Sequence, residues 1–501
     1  MTDTQAAPLL QRLDKDNKQM LKDMDSMATA EDAISGSPTF RPMLQLAARG
    51  SFFACLMCGF VWTAPMNMWM KNNLSPALVG YMPLTVLLYV FTLVPNLGNT
   101  MSNFIKALVG TFWACFAVWF MNGIYPGGMK EGMSASSSTA IAGWIYTFGF
   151  TLVMLWCNAS LLLKIYCLSY HVWFALEFMN PLSKTPFSEN FTFKLSGTAV
   201  NCMIATVISG LFAVFVLLLP YPMSMSFSNA KRDARKAAKD LSTLFMKAAQ
   251  YYCGQEASVV IDSHVNHSSK LRAMMDSMGT AITGAWWEGF DLGVRGTIRG
   301  LLGAHLTMLN ELFDQLLALQ VAISTEDFGE SHLRIMEEIG SASMNVTVTT
   351  GKLLNFVTDA AGDGDISAAE SQDIMAQIAE VKVGMKKLGS DFDRARRTFS
   401  LPVHAELLQE SFFVFTLCAY GRIVCEYADL LANSPPKGGS FGAVFTSAVR
   451  STWSWSDMID KNNINFTARY MVAIIISFMY SKYLGNNAPG CVATVTVLMN
   501  L

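Results

Sequence analysis

The distribution of apolar residues constrains this chain more than any other feature. From Leu44 to Leu219 the sequence is almost continuously apolar, divided into runs by short polar turns. Inside hydrocarbon a backbone finds no water to bond to, so a helix that crosses a bilayer needs about 20 largely apolar residues. Six runs reach or approach that length: 44–65, 77–94, 103–121, 140–156, 160–179 and 199–219. Only Cys157-Asn158-Ala159 separates the fourth from the fifth, which predicts a tight antiparallel hairpin. Gly123 to Gly128, followed by a Ser-rich stretch, predicts a loop between the third and the fourth.

Residues 223–463 read differently. Ala234, Ala237, Leu241, Leu244, Phe245 and Ala248 recur at helical spacing with charged residues between them, the mark of an amphipathic helix in water. Further helical stretches are expected at 301–323 and 404–431. The last holds the apolar run 411–421, which is too short to span and is flanked by Glu406, Glu410, Arg422, Glu426 and Asp429. It is expected as a buried helix of a water-soluble domain. The overall composition, 52% hydrophobic and 15% charged, averages these two environments. A net charge of −2 and the lack of a long basic run argue against a nucleic-acid partner. Of ten cysteines, Cys55, Cys58, Cys115, Cys157, Cys167 and Cys202 fall in the apolar runs, where a thiol packs as a small hydrophobe. Cys55 and Cys58 have CxxC spacing, but an apolar helix without basic neighbours is not a redox or zinc setting.

Charge at the flanks sets orientation. Arg12, Lys15, Lys18, Lys22, Arg41 and Arg49 precede or open the first run, and Lys231, Arg232, Arg235, Lys236 and Lys239 follow the sixth. The positive-inside rule then places both ends in the cytosol, with the lipid bilayer around an even number of crossings. Residues 1–37 are polar and hold no apolar h-region, so no cleavable signal peptide is expected. Hydrophobicity returns at 470–484 and again at 491–501. There Thr467-Ala468-Arg469-Tyr470 echoes Ala47-Ala48-Arg49-Gly50, and the stretch from Ala493 to Leu498 echoes that from Pro83 to Leu87. The repeat predicts that 464–501 begins a second transmembrane bundle, cut short in a fragment of a longer protein. The expected fold is therefore an all-α membrane protein. A cytosolic tail (1–42) leads into a six-helix transmembrane bundle (43–222). A large cytosolic helical domain (223–463) and the truncated start of a second bundle (464–501) follow.

Ala48-Arg49 opens the first span, and Lys106-Ala107-Leu108-Val109-Gly110-Thr111 follows the polar turn after the second. In these motifs, and in its layout, the chain resembles the fusaric acid resistance and aromatic acid exporter superfamily, related to the plant aluminium-activated malate transporters. The resemblance covers the two membrane portions and leaves 223–463 aside. It implies a channel or exporter for small organic or aromatic anions, regulated by the cytosolic domain. It also implies a partner, either the missing second half or another copy.

Ionisable residues in a span are expensive, so each is a candidate for function. Arg49, Lys106 and Lys164 are basic, His171 and Glu177 lie in the fifth run, and Arg469 is the repeat equivalent of Arg49. A ring of positive charge would concentrate anions at a pore, whereas the plainer reading is a set of snorkelling anchors. For His171 and Glu177 the choice lies between proton sites and polar contacts between helices.

Residues 359–370 read as an EF-hand loop. Asp359, Asp363, the Asp365 carbonyl, Ser367 through a water and bidentate Glu370 would supply oxygens to Ca2+, with Gly364 at the sharp turn. Ala361 offers no oxygen at the third position, and the alternative is an acidic turn between two helices. The chain contains no GxxxxGK[ST], GxSxG or HExxH, and no enzyme is expected. A transporter thus stands against a membrane-anchored, calcium-responsive interaction protein without transport activity.

Overall fold

The computed structural model describes residues 40–73, 76–134, 136–182, 186–191, 197–222, 225–254, 260–289, 294–326, 328–363, 366–398, 406–433 and 441–483. Among them the chain is all-helical. The first part holds α1 (Phe40–Trp62), α2 (Ala64–Asn73), α3 (Pro76–Thr92), α4 (Leu97–Ile124), α5 (Ser138–Trp156), α6 (Leu161–Phe178), α7 (Phe187–Asn190) and α8 (Thr198–Leu218). Asn96 and Ser137 cap α4 and α5, each side chain accepting from a backbone N–H in the first turn. Residues 157–160 join α5 to α6, the short connection the sequence predicts.

Helix α4 is the axis of this part and packs against α6 and α8, while α3 packs on α8 and α1. Close approach depends on glycine. A Cβ at Gly110 would stand 2.7 Å from the Leu163 carbonyl oxygen of α6, and one at Gly210 would stand 2.0 Å from the Phe104 ring. Small residues at such crossings let helices touch where no hydrophobic effect drives them together.

The second part is α9 (Ser226–Tyr252), α10 (Val260–Gly289), α11 (Val294–Thr325), α12 (Glu330–Asp363), α13 (Ala368–Thr398) and α14 (Glu406–Asn433). Pairings fix an up-and-down order. Near one end Arg235 of α9 meets Asp359 of α12 at 2.7 Å, and the Tyr427 hydroxyl of α14 donates to Leu301 O of α11 at 3.2 Å. Near the other, Tyr252 stacks on Phe413 with centroids 4.0 Å apart, and Gln409 Nε2 donates to Thr325 O at 2.7 Å. The core is aliphatic, with Leu241, Leu312, Leu316, Leu353, Val381 and Leu417 all at 0% exposure. The run 411–421 lies inside α14 with Phe413, Leu417 and Tyr420 buried, as the sequence predicts.

Six helices among the described residues are long and apolar enough to cross a membrane, the make-up of a multi-pass membrane protein. They only partly coincide with the six runs read from sequence. Leu97–Ile124, Ser138–Trp156, Leu161–Phe178 and Thr198–Leu218 match the third to sixth runs. The first two runs contribute shorter apolar stretches, Met43–Gly59 and Pro83–Thr92. Arg295–Thr325 and Lys461–Tyr483 complete the set. The former belongs to α11, which packs against α9, α10, α12 and α14. A helix enclosed on several sides is apolar on several faces, and composition alone then gives it the look of a span.

The C-terminal segment is α15 (Phe441–Thr452), α16 (Trp455–Ile459) and α17 (Lys461–Tyr483). It returns to the first part. Asn158 N donates to Thr452 O at 3.0 Å and Trp156 Nε1 to Met458 O at 2.9 Å. Phe478 packs edge-on against Trp144 and Phe148 of α5. The described portion of the expected second bundle is thus one helix, docked on α5 and α6 of the first. Residues 484–501, with the second half of the sequence echo, lie outside the described residues, as does the Pro-Pro-Lys-Gly-Gly stretch at 435–439.

Candidate functional site

The interior of the first part, largely apolar, also holds a set of buried hydroxyl and amide side chains. Thr111 of α4, Tyr170 of α6 and Thr206 of α8 converge, with Thr206 Oγ1 3.2 Å from Thr111 Oγ1 and 3.3 Å from Tyr170 Oη. Thr206 spends its one proton on Cys202 O at 2.9 Å, so the Tyr170 hydroxyl is the donor in their contact. A second hydroxyl pair, Thr92 and Tyr166, lies 3.0 Å apart between α3 and α6. Asn201, at 0% exposure on α8, has neither amide atom hydrogen-bonded among the described residues. A buried amide left unpaired costs about 1–3 kcal/mol, so its presence in an apolar helix calls for a reason. Spacing carried the only hint. Asn201, Thr206 and Ser209 are the polar interruptions of the sixth apolar run, and uncharged residues do not stand out in a search for costly charges.

The residues singled out by charge scatter around this interior. Arg49 is half-buried and caps α8, its Nη1 donating to Leu219 O at 3.2 Å and to Tyr221 O at 3.0 Å. Its guanidinium lies 4.3 Å above the Tyr221 ring. A cation at the carbonyl end of a helix meets the negative pole of the macrodipole, so Arg49 is in a favourable anchoring position. Lys106 is half-buried on α4. Lys164 is 4% exposed, and its Nζ donates to Leu155 O at 2.7 Å, 5.2 Å from the centre of the Phe466 ring. His171 is fully buried, with its ring 4.3 Å from that of Phe150 and 5.9 Å from that of Tyr146. Glu177 sits half-buried in the last turn of α6, where Asn180 N donates to its carbonyl.

Arg469 is exposed on α17, in an open cavity of about 520 Å³ lined by Asn462, Asn465, Phe466, Tyr470 and Ala473. Phe466 therefore links two of the candidates, since its ring receives Lys164 and also lines the cavity with Arg469. The structure brings these two toward one place; Arg49 is held at the C-terminal end of α8 by its own partners.

One carboxylate bonds to both parts where they meet. Glu288, in the last turn of α10, accepts from Gly98 N at the start of α4 (3.0 Å) and from Phe227 N at the start of α9 (3.2 Å). Ser226 N also donates to it. The first N–H groups of a helix have no partner within the helix, and the dipole favours a negative charge there. One side chain thereby ties a membrane-type helix to the first helix of the second part. A Cβ at Gly98 would lie 2.1 Å from Gly284 O, so α4 and α10 touch backbone to backbone.

The segment read as an EF-hand takes other roles. Helix α12 continues through Asp363, so the first five positions of the expected loop are helical. Asp359 is exposed and paired with Arg235. Ser367 and Glu370 form a capping box at the start of α13: Ser367 N and Oγ both donate to Glu370 Oε2 at 2.8 Å, and Glu370 N donates to Ser367 Oγ at 3.2 Å. The backbone and then the side-chain hydrogen bond from Ser367 hold the Glu370 carboxyl below its ordinary pKa. An EF-hand needs these positions as a loop that wraps an ion, and a helix followed by a capping box is a different arrangement. The side chain of Asp363 and the whole of Asp365 lie outside the described residues.

Compared with protein-family models and with curated proteins, the chain matches none.

Proposed function

We propose that the chain is a membrane transporter or channel for small organic or aromatic anions, with both ends of the first bundle on the cytosolic side. The observation that carries this reading is a set of buried hydroxyls and one buried, unpaired amide in helices whose charge is almost all positive. Glu177 is the single acidic residue of α1, α3–α6, α8 and α17, against Arg49, Lys106, Lys164, Arg469 and Lys482 among others. Hydroxyls and amides replace the hydration of a permeating solute, and fixed cations raise the local concentration of anions. The outward aromatic face of α4, with Phe112, Trp113, Phe116, Trp119 and Phe120 all exposed, suits lipid or a second copy. The Glu288 junction supplies a rigid route by which the second part could act on α4.

Reconstitution in liposomes tests this. Organic-anion flux is expected from the wild-type chain, with Lys106→Glu lowering the anion preference and Thr206→Val lowering the flux. Absence of flux from well-folded wild-type protein, or unchanged selectivity in Lys106→Glu, would remove the transport reading and leave the membrane helices as an anchor.

A further inference from the structure

At the end of the second part remote from the Glu288 junction, four helices bring polar side chains together out of water. Glu326 follows α11, His332 lies in the first turn of α12, Glu410 in the second turn of α14, and Tyr252 ends α9. His332 and Glu410 are each 2% exposed, and Glu326 exposes its backbone while its side chain is 2% exposed. Phe328 and Phe413 complete the enclosure: the Phe328 ring lies 5.0 Å from that of His332, and Phe413 stacks on Tyr252. Phe328 holds φ at +53°, in the left-handed region, at the turn that faces Glu326 back toward His332.

The proton positions follow from the partners. His332 Nε2 lies 2.8 Å from Tyr252 O, and a carbonyl only accepts, so Nε2 carries the hydrogen. Nδ1 then points into the cluster. It is buried, makes no hydrogen bond, and stands 3.5 Å from Glu326 Oε2. The Tyr252 hydroxyl donates to that same Glu326 oxygen. Burial, then this hydrogen bond, raise the Tyr252 pKa and keep the phenol a donor. One ligating atom each from Glu326, His332 and Glu410 fall within 4.8 Å of one another.

A direct imidazolium–carboxylate pair closes to about 2.7–2.9 Å, shorter than the separation seen. Two ligands about 2.1 Å from one tetrahedral ion stand about 3.4 Å apart, which matches the His332–Glu326 pair, and the set of three, within 4.8 Å, would draw in slightly around an ion. The outer contacts fit as well. A metal-binding histidine fixes its tautomer by giving its other N–H to a carbonyl or carboxylate, and ligating carboxylates are themselves hydrogen-bonded.

We infer that Glu326, His332 and Glu410 form a binding site for one divalent first-row transition-metal ion of the zinc or cobalt type. The imidazole nitrogen selects against calcium and magnesium, which take oxygen ligands. Three protein ligands leave a fourth position for water or an anion. The ion joins α11, α12 and α14 at the free end of the helical bundle, and Tyr252 brings α9 into its outer contacts.

The test uses the full chain in detergent, stripped with chelator and titrated with Co(II). One equivalent is expected to give the intense visible bands of four-coordinate cobalt, to be displaced by Zn(II), and to raise the melting temperature. His332→Ala is expected to abolish the bands. Glu326→Gln, which keeps size and shape, is expected to weaken Co(II) binding about 100-fold, and Tyr252→Phe about 10-fold as an outer contact. Wild-type protein with neither bands nor a metal-dependent melting shift overturns the site. If His332→Ala does not fold, Glu326→Gln decides, and undiminished Co(II) affinity there overturns it equally.

Discussion

The two parts of this chain use the same secondary structure and both bury an apolar core, but they differ in what faces outward. In α9–α14 the core is largely aliphatic and most charges face outward, with Asp233, His332 and Glu410 as buried exceptions. In α3–α8 the buried positions include Thr85, Thr111, Thr147, Thr151, Asn201, Thr206 and Ser209, while Phe112, Trp113, Phe116, Trp119, Ile141 and Ile145 face out. Lipid is as apolar as leucine, so burying leucine between membrane helices gains little, and small or hydroxylated residues take the contacts instead. Exposure therefore has two meanings in one molecule. An outward isoleucine on α5 fits lipid, whereas an outward valine on α11 belongs, on the reading proposed above, to a bundle that faces water.

That contrast is most sharply broken by labelling. Val321 of α11 is 60% exposed and Ile145 of α5 is 70% exposed. In liposomes, Val321→Cys is expected to react with a charged maleimide well above the wild-type background, and Ile145→Cys is expected to stay at background. Equal protection of both would put α11 in the membrane. Next in size is truncation. Leu312→Ala removes a 0%-exposed side chain from the α11 core and is expected to cost about 2–5 kcal/mol. Leu152→Ala, at a 45%-exposed position of α5, is expected to stay within about 0.5 kcal/mol. Denaturant melts of the two variants measure the difference.

Where the parts join, Gly98→Ala forces a methyl against the Gly284 backbone and is expected to cost about 1–3 kcal/mol. Calorimetry should then show the two parts melting further apart than in the wild type. Arg49→Ala removes the cation from the carbonyl end of α8, an effect of about 1–2 kcal/mol that would appear as a lower melting temperature. Smallest is the capping box of α13, where Ser367→Ala is expected to lose about 1 kcal/mol in the same assay. The lowered pKa of Glu370 means its contribution is complete above the unfolded carboxyl pKa and disappears as pH falls through the folded value. A melt series into the acid range should show that loss in the wild type and less of it in Ser367→Ala, with calcium leaving both curves unchanged.

Much of this was legible in the residues. The apolar runs after Asn103 became helices because a long apolar stretch has no cheaper way to satisfy its backbone, and the short link at Cys157 left α5 and α6 few ways to pack. The face from Ala234 to Ala248 is buried, as its spacing required. Site residues were less legible, because the costly charges proved to be held by local partners. Arg49 found the end of α8 and Lys164 found Leu155 O. Glu370 bonded with Ser367, three residues away, because a helix start places serine and glutamate within reach of each other's N–H groups. The buried hydroxyls and amide went unseen, since threonine and asparagine in an apolar run carry no charge to draw notice.

The sequence by itself determined that the chain is helical, that one stretch is suited to lipid and another to water, and roughly where the long apolar helices lie. These follow from period, run length and capping, all local properties. Only the tertiary structure decided that α11 is enclosed by helices of the second part, that α17 returns to α5 and α6, and that Glu326, His332 and Glu410 share one buried space. Those facts depend on which faces meet across separations such as the 84 residues between Thr325 and Gln409, and no local pattern records them.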